Sequence, residues 1–485
     1  MSPVSDSVLE SMHATATEIF TGALNACNIA SAFDRRISFE GNTLRRLLPD
    51  GIGPDTINLA SYKRIFVIAL GKAAGPMLEV LLDRMKRRQG LRGICCTKYL
   101  PKSRNWRFRY FEGGHPLPNE DSFAAARAAL TMLKKAKKDT LIFFLISGGG
   151  SAMFDLPLDP QISLGDTAVF NEALLASGAP INEINTLRKH FSAVKGGRLA
   201  MAAPEALKVS LLLPDVPLRS LDALSSGPTS PDHSTVEEVR AILTKYELGP
   251  KLPASIRTFF EREDLPESPG NKSWRPGFLP RMPWGEAAAQ ARRVTAAAVM
   301  TGEHEAFRDS VFELLLSSHD LVESARALAQ KAGYFVAVDN SCDDWDYADA
   351  ARYLLERFHH LRAGHPRFCL ISGGEVTVTM DRVPGAGGRN QQFALACALE
   401  LAQHPGELLT VLSAGSDGID GNTQTAGAVA DPTTVTRARA FGFDPEESLR
   451  AFNACPLFTA LGDAVVTGPT GQNLRDLRVL LADRS

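Results

Sequence analysis

Two segments of this chain place serine and consecutive glycines directly after an apolar run: Leu145-Ile146-Ser147-Gly148-Gly149-Gly150-Ser151 and Leu370-Ile371-Ser372-Gly373-Gly374-Glu375. Glycines in such a turn let backbone N–H groups approach an oxyanion closely, and a helix that follows adds a favourable dipole. Phosphate or carboxylate is the expected ligand, against the plainer explanation that the glycines only make tight turns. A third turn, Ser413-Ala414-Gly415-Ser416-Asp417-Gly418-Ile419-Asp420, follows another apolar run, and Asp215 follows the run at 209–213. Carboxylates at these places could take a proton from a substrate hydroxyl or hold Mg²⁺, which needs only one or two carboxylates beside phosphate oxygens. Capping of the local backbone is the competing role.

Cations complete the set. In Leu70-Gly71-Lys72-Ala73-Ala74-Gly75-Pro76, a lysine follows an apolar run and Pro76 suits the first turn of a helix, so Lys72 could reach phosphate as a point charge. Residues 185–199 read as one helix with Leu187, Phe191 and Val194 on its apolar stripe and Arg188, Ser192 and Lys195 stacked on another face. The paired Gly196-Gly197 weakens such a helix and implies close packing there. Gly387-Gly388-Arg389-Asn390-Gln391-Gln392 opens an apolar helix at 393–401. An arginine there opposes the helix dipole, which an anionic ligand would explain.

The elements that must carry these residues follow from patterning. Short apolar runs at 65–70, 141–146, 209–213, 367–371 and 408–412 have the character of buried parallel strands, and helical stretches such as 122–137 lie between them. Strands alternating with helices predict an α/β protein with mainly parallel sheets and ligand sites at strand C-terminal ends. At 485 residues two domains are expected. The Pro- and Gly-rich stretch 266–284 is the expected linker, and 287–299 has the composition of an inserted helix. The expected division is 1–265, a linker or insertion at 266–310, and 311–485.

Several classes are disfavoured. Neither G-x-x-x-x-G-K-[ST] nor G-x-G-x-x-G after a strand occurs, and the turn at Asp417 lacks EF-hand spacing. A net charge of -2 offers no field for nucleic acid. Seven scattered cysteines without a C-x-x-C pair signal neither disulfides nor zinc, which favours a reducing compartment. Without a membrane-length apolar run or a signal-like N-terminus, the expectation is a cytoplasmic protein with no membrane partner.

Taken together the motifs resemble those of the glycerate 2-kinase family, whose C-terminal part is the MOFRL domain. The matching stretches are GKAAGPM at 71–77, EGGHPLPNEDS at 112–122, LISGGGSAMFDLP at 145–157, INEINTLRKHFSAVKGGRLA at 181–200, SSGPT at 225–229, ISGGEVTV at 371–378, GGRNQQFALA at 387–396, SAGSDGIDG at 413–421 and TGPTGQNLRDLRVLL at 467–481. The resemblance implies a Rossmann-like N-terminal domain, a C-terminal MOFRL domain and an active site in the cleft between them. It implies ATP- and Mg²⁺-dependent phosphorylation of the 2-hydroxyl of D-glycerate. Lys72 would stabilise transferring charge or hold substrate, Asp215 would be base or magnesium contact, and Arg389 would neutralise the glycerate carboxylate or the phosphates. Gly71, Ser147 to Ser151, Arg188, Lys195, Gly373, Gly374, Glu375, Asn390, Asp417 and Asp420 would complete the binding surface, with the metal ligands and the oligomeric state left open.

The chain departs from the family pattern in three places. Pro217-Leu218-Arg219-Ser220 stands where the family has a Gly-Asp pair, with no acidic residue until Asp222. Gln392 replaces the usual Glu after GGRNQ, and Leu316-Ser317-Ser318-His319 replaces the usual Gly-Ser-Asn before Asp320. Two rival readings remain: an oxidoreductase acting on hydroxypyruvate or a related 2-hydroxy acid, and a nucleotide-binding relative that has lost catalysis.

Overall fold

The structure is a computed structural model that describes residues 3–47, 55–85, 90–216, 218–269, 307, 310–380, 383–471 and 473–483. The expected inserted helix at 287–299 and most of the expected linker lie outside these residues. The chain divides into two compact units, Ile29–Leu315 and a second made of Met1–Asn28 with Leu316–Ser485.

The first unit opens with a small antiparallel sheet of β1 (Ile37–Glu40), β2 (Thr43–Arg46) and β3 (Asp55–Asn58). Its main sheet holds β4 (Arg64–Leu70), β5 (Leu91–Thr97), β6 (Phe108–Glu112), β7 (Thr140–Ser147), β8 (Leu207–Leu213) and β9 (Ser310–Leu314) in the order β6-β5-β4-β7-β8-β9. Every pairing is parallel. All eight residues of central β7 are buried, which is why it reads as an unbroken apolar run. On one face Phe66, Ile68, Ile94 and Phe144 pack beneath Ala125, Ala126 and Ala129 of the helix Glu120–Leu133, whose small side chains let helix and sheet approach closely. That helix starts at a capping box, with Asn119 and Ser122 satisfying each other's end of the first turn. A separate aromatic cluster of Phe170, Phe191, Phe259 and Phe260 supports the helix Ile181–Phe191.

The second unit has a six-stranded sheet of β10 (Phe335–Val338), β11 (Arg367–Gly373), β12 (Leu409–Gly415), β13 (Gly427–Ala430), β14 (Ala464–Val465) and β15 (Asp476–Asp483). The order is β10-β11-β15-β12-β13-β14. Here the expectation of a mainly parallel sheet is corrected, because only β10 and β11 pair in parallel. β15 inserts antiparallel between β11 and β12, and β13 returns antiparallel along β12. Both faces of β12 and β15 are covered, so their sequences look like buried parallel strands although their neighbours run the other way.

The unit boundaries also differ from those expected. The opening helix Pro3–Ala26 belongs to the second unit, with Met12, Ala16, Phe20 and Ala23 buried and the helix packed on β12, β15 and the helix Ser318–Lys331. Its His13 lies 2.9 Å from Asp431. The second unit starts at Leu316 rather than 311, because β9 pairs with β8 as the edge of the first sheet.

Candidate functional site

In the first unit the turns after β4 and β7 interlock. The Ala73 N–H donates to Ser147 Oγ at 3.0 Å, and the Lys72 N–H donates to the Gly148 carbonyl at 2.9 Å. Ser225 Oγ in turn donates to the Ser147 carbonyl at 2.8 Å. Ser147 is therefore buried framework joining three segments, not an exposed ligand contact. The glycines have distinct reasons. Gly149 has φ 81°, a conformation glycine adopts at no cost. Gly148 and Gly150 lie outside the left-handed region but admit close neighbours: a Cβ on Gly148 would sit 1.8 Å from Asp215 Oδ2, and one on Gly150 would sit 2.3 Å from Ser225 Oγ. Asp215 thus lies directly against the glycine turn. Lys72 borders the same turn, its Cγ 3.1 Å from where a Gly149 Cβ would be.

His115 faces that turn too, its Cδ2 3.3 Å from the same point. Burial, with Lys72 and Lys98 adding positive charge, pushes its pKa down to about 4, so the ring is neutral at physiological pH. Ser151 joins through hydroxyls: Ser226 Oγ donates to Asn185 Oδ1 at 3.0 Å, so the 2.8 Å contact between Ser151 and Ser226 is donated by Ser151.

The expected cationic helix face is corrected. The helix ends at Phe191, Ser192 is extended and bridges to Pro157, and Gly196 and Gly197 have φ 53° and 80°. The N–H groups of both glycines bond to carbonyls of Ser226 and Gly227, which explains the close packing their pairing implied. Lys195, 1% exposed, forms an ion pair with Asp155, which also accepts from Ser192 Oγ at 2.6 Å. Burial lowers the Lys195 pKa against the opposing pull of Asp155. The lysine is a buried structural cation and does not present a ligand-binding face. Arg188 remains partly exposed, its Nε donating to Asn171 Oδ1 at 3.1 Å, and burial lowers its pKa. Asp222, the first acid after the divergent 217–220 stretch, bonds Lys189 at 3.2 Å, and Asp232 bonds the same amine at 3.0 Å.

The second unit carries its own constellation. Arg389, first residue of the helix Arg389–Leu401, grips Asp476 with both Nε (2.6 Å) and Nη2 (3.0 Å) and reaches Glu375 at 2.7 Å. Burial opposes its charge, but Asp476 outweighs it and raises the arginine pKa further. The anion that sequence reasoning required at this helix start is in part the protein's own. Asp420 caps the helix from a distant loop, accepting from the N–H groups of Asn390 (3.1 Å) and Gln391 (2.9 Å). Gly388 is what admits it, since a Cβ there would lie 2.3 Å from Asp420 Oδ1. Burial pushes the Asp420 pKa up to about 7, against those two backbone donors. Asn390 links the cap to the sheet through Ser413 Oγ at 2.7 Å. Asp417 turns its own loop, accepting from the Ile419 N–H at 3.1 Å.

The second serine-glycine turn is not an open anion cradle, which corrects the expectation for Gly373, Gly374 and Glu375. Their N–H groups donate to Asn340 Oδ1, the Asp476 carbonyl and Asp343 Oδ1 respectively. In the first turn, among the described residues, no acceptor takes the N–H groups of Gly148, Gly149 and Gly150. The two echoing motifs therefore differ: one is bonded shut by its own unit, and the other stays available. Sequence reasoning missed His115, Asp155, Ser225, Ser226 and Asp476. All lie inside the matching stretches, but nothing in their local spacing names the distant groups they meet.

Residues 15–261 match a family described as "Domain of unknown function (DUF4147)", and residues 368–476 match the MOFRL family. A glycerate 2-kinase of Pyrococcus horikoshii is 32% identical over 434 residues, covering 86% of this chain and 87% of its own. A protein of Agrobacterium vitis with a provisional hydroxypyruvate reductase name is 34% identical over 424 residues, covering 86% of this chain and 87% of its own. The crystal structure of a glycerate kinase from Thermotoga maritima superposes with a TM-score of 0.76 at 29% identity, across 98% of this chain and 100% of that one. With motifs, fold and a relative of this identity spanning both units, the chain belongs to the glycerate 2-kinase family.

Proposed function

We propose that this enzyme transfers the γ-phosphoryl group of ATP to the 2-hydroxyl of D-glycerate, giving 2-phosphoglycerate and ADP. The observation that carries the reading is the meeting of Lys72 and Asp215 at the Gly148–Gly149 turn, beyond the C-terminal ends of β4, β7 and β8. Phosphoryl transfer asks a protein mainly for positioning and charge stabilisation. The turn's N–H groups and the Lys72 ammonium would hold phosphate oxygens, and the Asp215 carboxylate would accept the hydroxyl proton or contact the metal. The neutral His115 ring would accept a hydrogen bond without adding charge. Arg389 keeps its Nη1 edge outside its pairs with Asp476 and Glu375, and that edge would neutralise a substrate carboxylate or phosphate.

Among the described residues no group of three or more His, Cys, Asp or Glu could hold a metal. Mg²⁺ asks for less, one or two carboxylates beside phosphate oxygens and water, and Asp215 offers one. When bound, the ion would neutralise charge on the transferring phosphate.

The test is to incubate the protein with ATP, Mg²⁺ and D-glycerate and follow product through enolase and pyruvate kinase without phosphoglycerate mutase. Signal without the mutase establishes 2-phosphorylation, and signal only with it overturns the regiochemistry. The Agrobacterium vitis relative favours one second reading, reduction of hydroxypyruvate, which NADH consumption with that substrate would reveal. Among the described residues no helix is long and apolar enough to cross a membrane.

A further inference from the structure

At the other end of the same parallel sheet lies a cavity of about 440 Å³ between the sheet and the helix Glu120–Leu133. Its lining includes Arg92, Arg109, Arg127 and Lys135 and no acidic residue. Phe66 and Met132 supply apolar wall. Arg92 and Arg109 are the second residues of β5 and β6, and Phe66 lies four residues before the end of β4, roughly 13 Å along the strand from the turn that carries Lys72. The cavity is thus separate from the Lys72 site.

Four like charges around one concavity repel one another, and a surface normally relieves this with carboxylates. Among the described residues none of the four is ion-paired, and Asp139, close to Lys135, is engaged by Lys63 and Arg64. All four cations are exposed, and each arginine lies near an aromatic ring. Arg92 lies 5.2 Å from the Phe66 ring centre, Arg109 lies 5.0 Å from Phe111, and Arg127 lies 5.5 Å from Phe123. At exposed positions such contacts are worth about 0.5–1 kcal/mol each, enough to bias a guanidinium toward its ring while leaving it free to turn to a ligand. A volume of this size falls within the range of small-molecule sites.

The geometry points to a second anion site here, taking a small phosphorylated molecule of two or more negative charges, separate from the site of phosphoryl transfer. Its chemistry is shared by nucleoside diphosphates and by phosphorylated hydroxy acids, and the partly exposed Ala128 and Met132 would cover the less polar part of either.

Calorimetric titration with inorganic pyrophosphate tests this on the whole chain, on Lys72→Ala and on Arg92→Gln/Arg127→Gln. Saturable binding is expected at low ionic strength, retained in Lys72→Ala and weakened about tenfold or more in the double variant, since two charged hydrogen-bonding groups are removed. Lys135→Gln repeats the test with one exposed side chain changed and should weaken binding in the same direction. Titrating Lys72→Ala with ADP and with 2-phosphoglycerate, each against the same protein also carrying Arg92→Gln and Arg127→Gln, then shows which source loses affinity with the cavity's charges. Absence of pyrophosphate binding by the whole chain, or binding unchanged in the double variant, overturns the assignment.

Discussion

Replacing Gly148 with alanine adds one methyl group at the point where the site is tightest. Gly148 has no left-handed backbone to protect, so alanine meets no conformational penalty and the effect isolates the close approach. The new Cβ would lie 1.8 Å from Asp215 Oδ2 and 2.1 Å from its Cγ, whereas ordinary contact begins at 3.4 Å. Either the carboxylate or the turn must therefore yield by about 1.6 Å, and displacements of about 1 Å can cost about 100-fold in rate. The expected result is a fall in kcat of about 100-fold or more, with stability lowered by about 1–3 kcal/mol as in other overpacked sites. Steady-state ADP release gives the first quantity and urea unfolding the second. Gly178→Ala is the control, because Gly178 has φ 72° with nothing within 4 Å of an added Cβ. It should cost about 1–2 kcal/mol of strain and leave kcat unchanged. A folded Gly148→Ala enzyme with kcat within threefold of the parent would refute the placement of Asp215 at the reacting centre.

Further consequences can be measured. Lys195→Met strands a buried Asp155 and should destabilise by about 3–5 kcal/mol, while Lys195→Met/Asp155→Leu should recover most of that in urea unfolding. The Asp420 pKa is raised from 3.8 to about 7, so the folded state holds that proton more tightly and stability from this group declines as pH rises from about 4 to about 7. Asp420→Asn should remove that slope in the difference between variant and parent unfolding curves. The His115 pKa is lowered from 6.5 to about 4, so its contribution is complete above about 6.5 and is lost as pH falls toward 4, which His115→Gln should abolish. Phe20→Ala should cost about 3–5 kcal/mol. It should lower amide protection in β12 and β15 and leave β4 and β7 unaffected, since the opening helix belongs to the second unit.

What could be read from the sequence follows from what each residue contacts. β4 and β7 are covered on both sides, so their apolar runs declared them, and the Ser147 to Ser151 turn was legible because close approach at a strand end demands glycine. The break at Ser192 was not, because Leu187, Phe191 and Val194 keep helical spacing although the chain has left the helix. Strand direction in the second sheet was hidden for the reason that made its strands visible: full burial erases the alternation that would mark an antiparallel strand with one wet face. Asp476 pairs with Arg389 across 87 positions, and no local pattern announces a partner so distant. Nor does an amphipathic helix state which sheet it will cover, which is how the helix Pro3–Ala26 came to be expected in the wrong unit.

That helix sets a constraint on synthesis. Its buried residues, among them Met12 and Phe20, rest on partners that begin with the helix Ser318–Lys331 and end with β15, which sits between β11 and β12. At about 5–20 residues per second, a ribosome needs on the order of tens of seconds to make the intervening chain. Meanwhile the unit Ile29–Leu315, with its continuous parallel sheet, can fold while the opening helix still has its apolar stripe unoccupied. The nascent protein therefore carries an exposed greasy leader through most of its translation, a natural target for a holding chaperone, and is relieved of it only when β15 closes the second sheet.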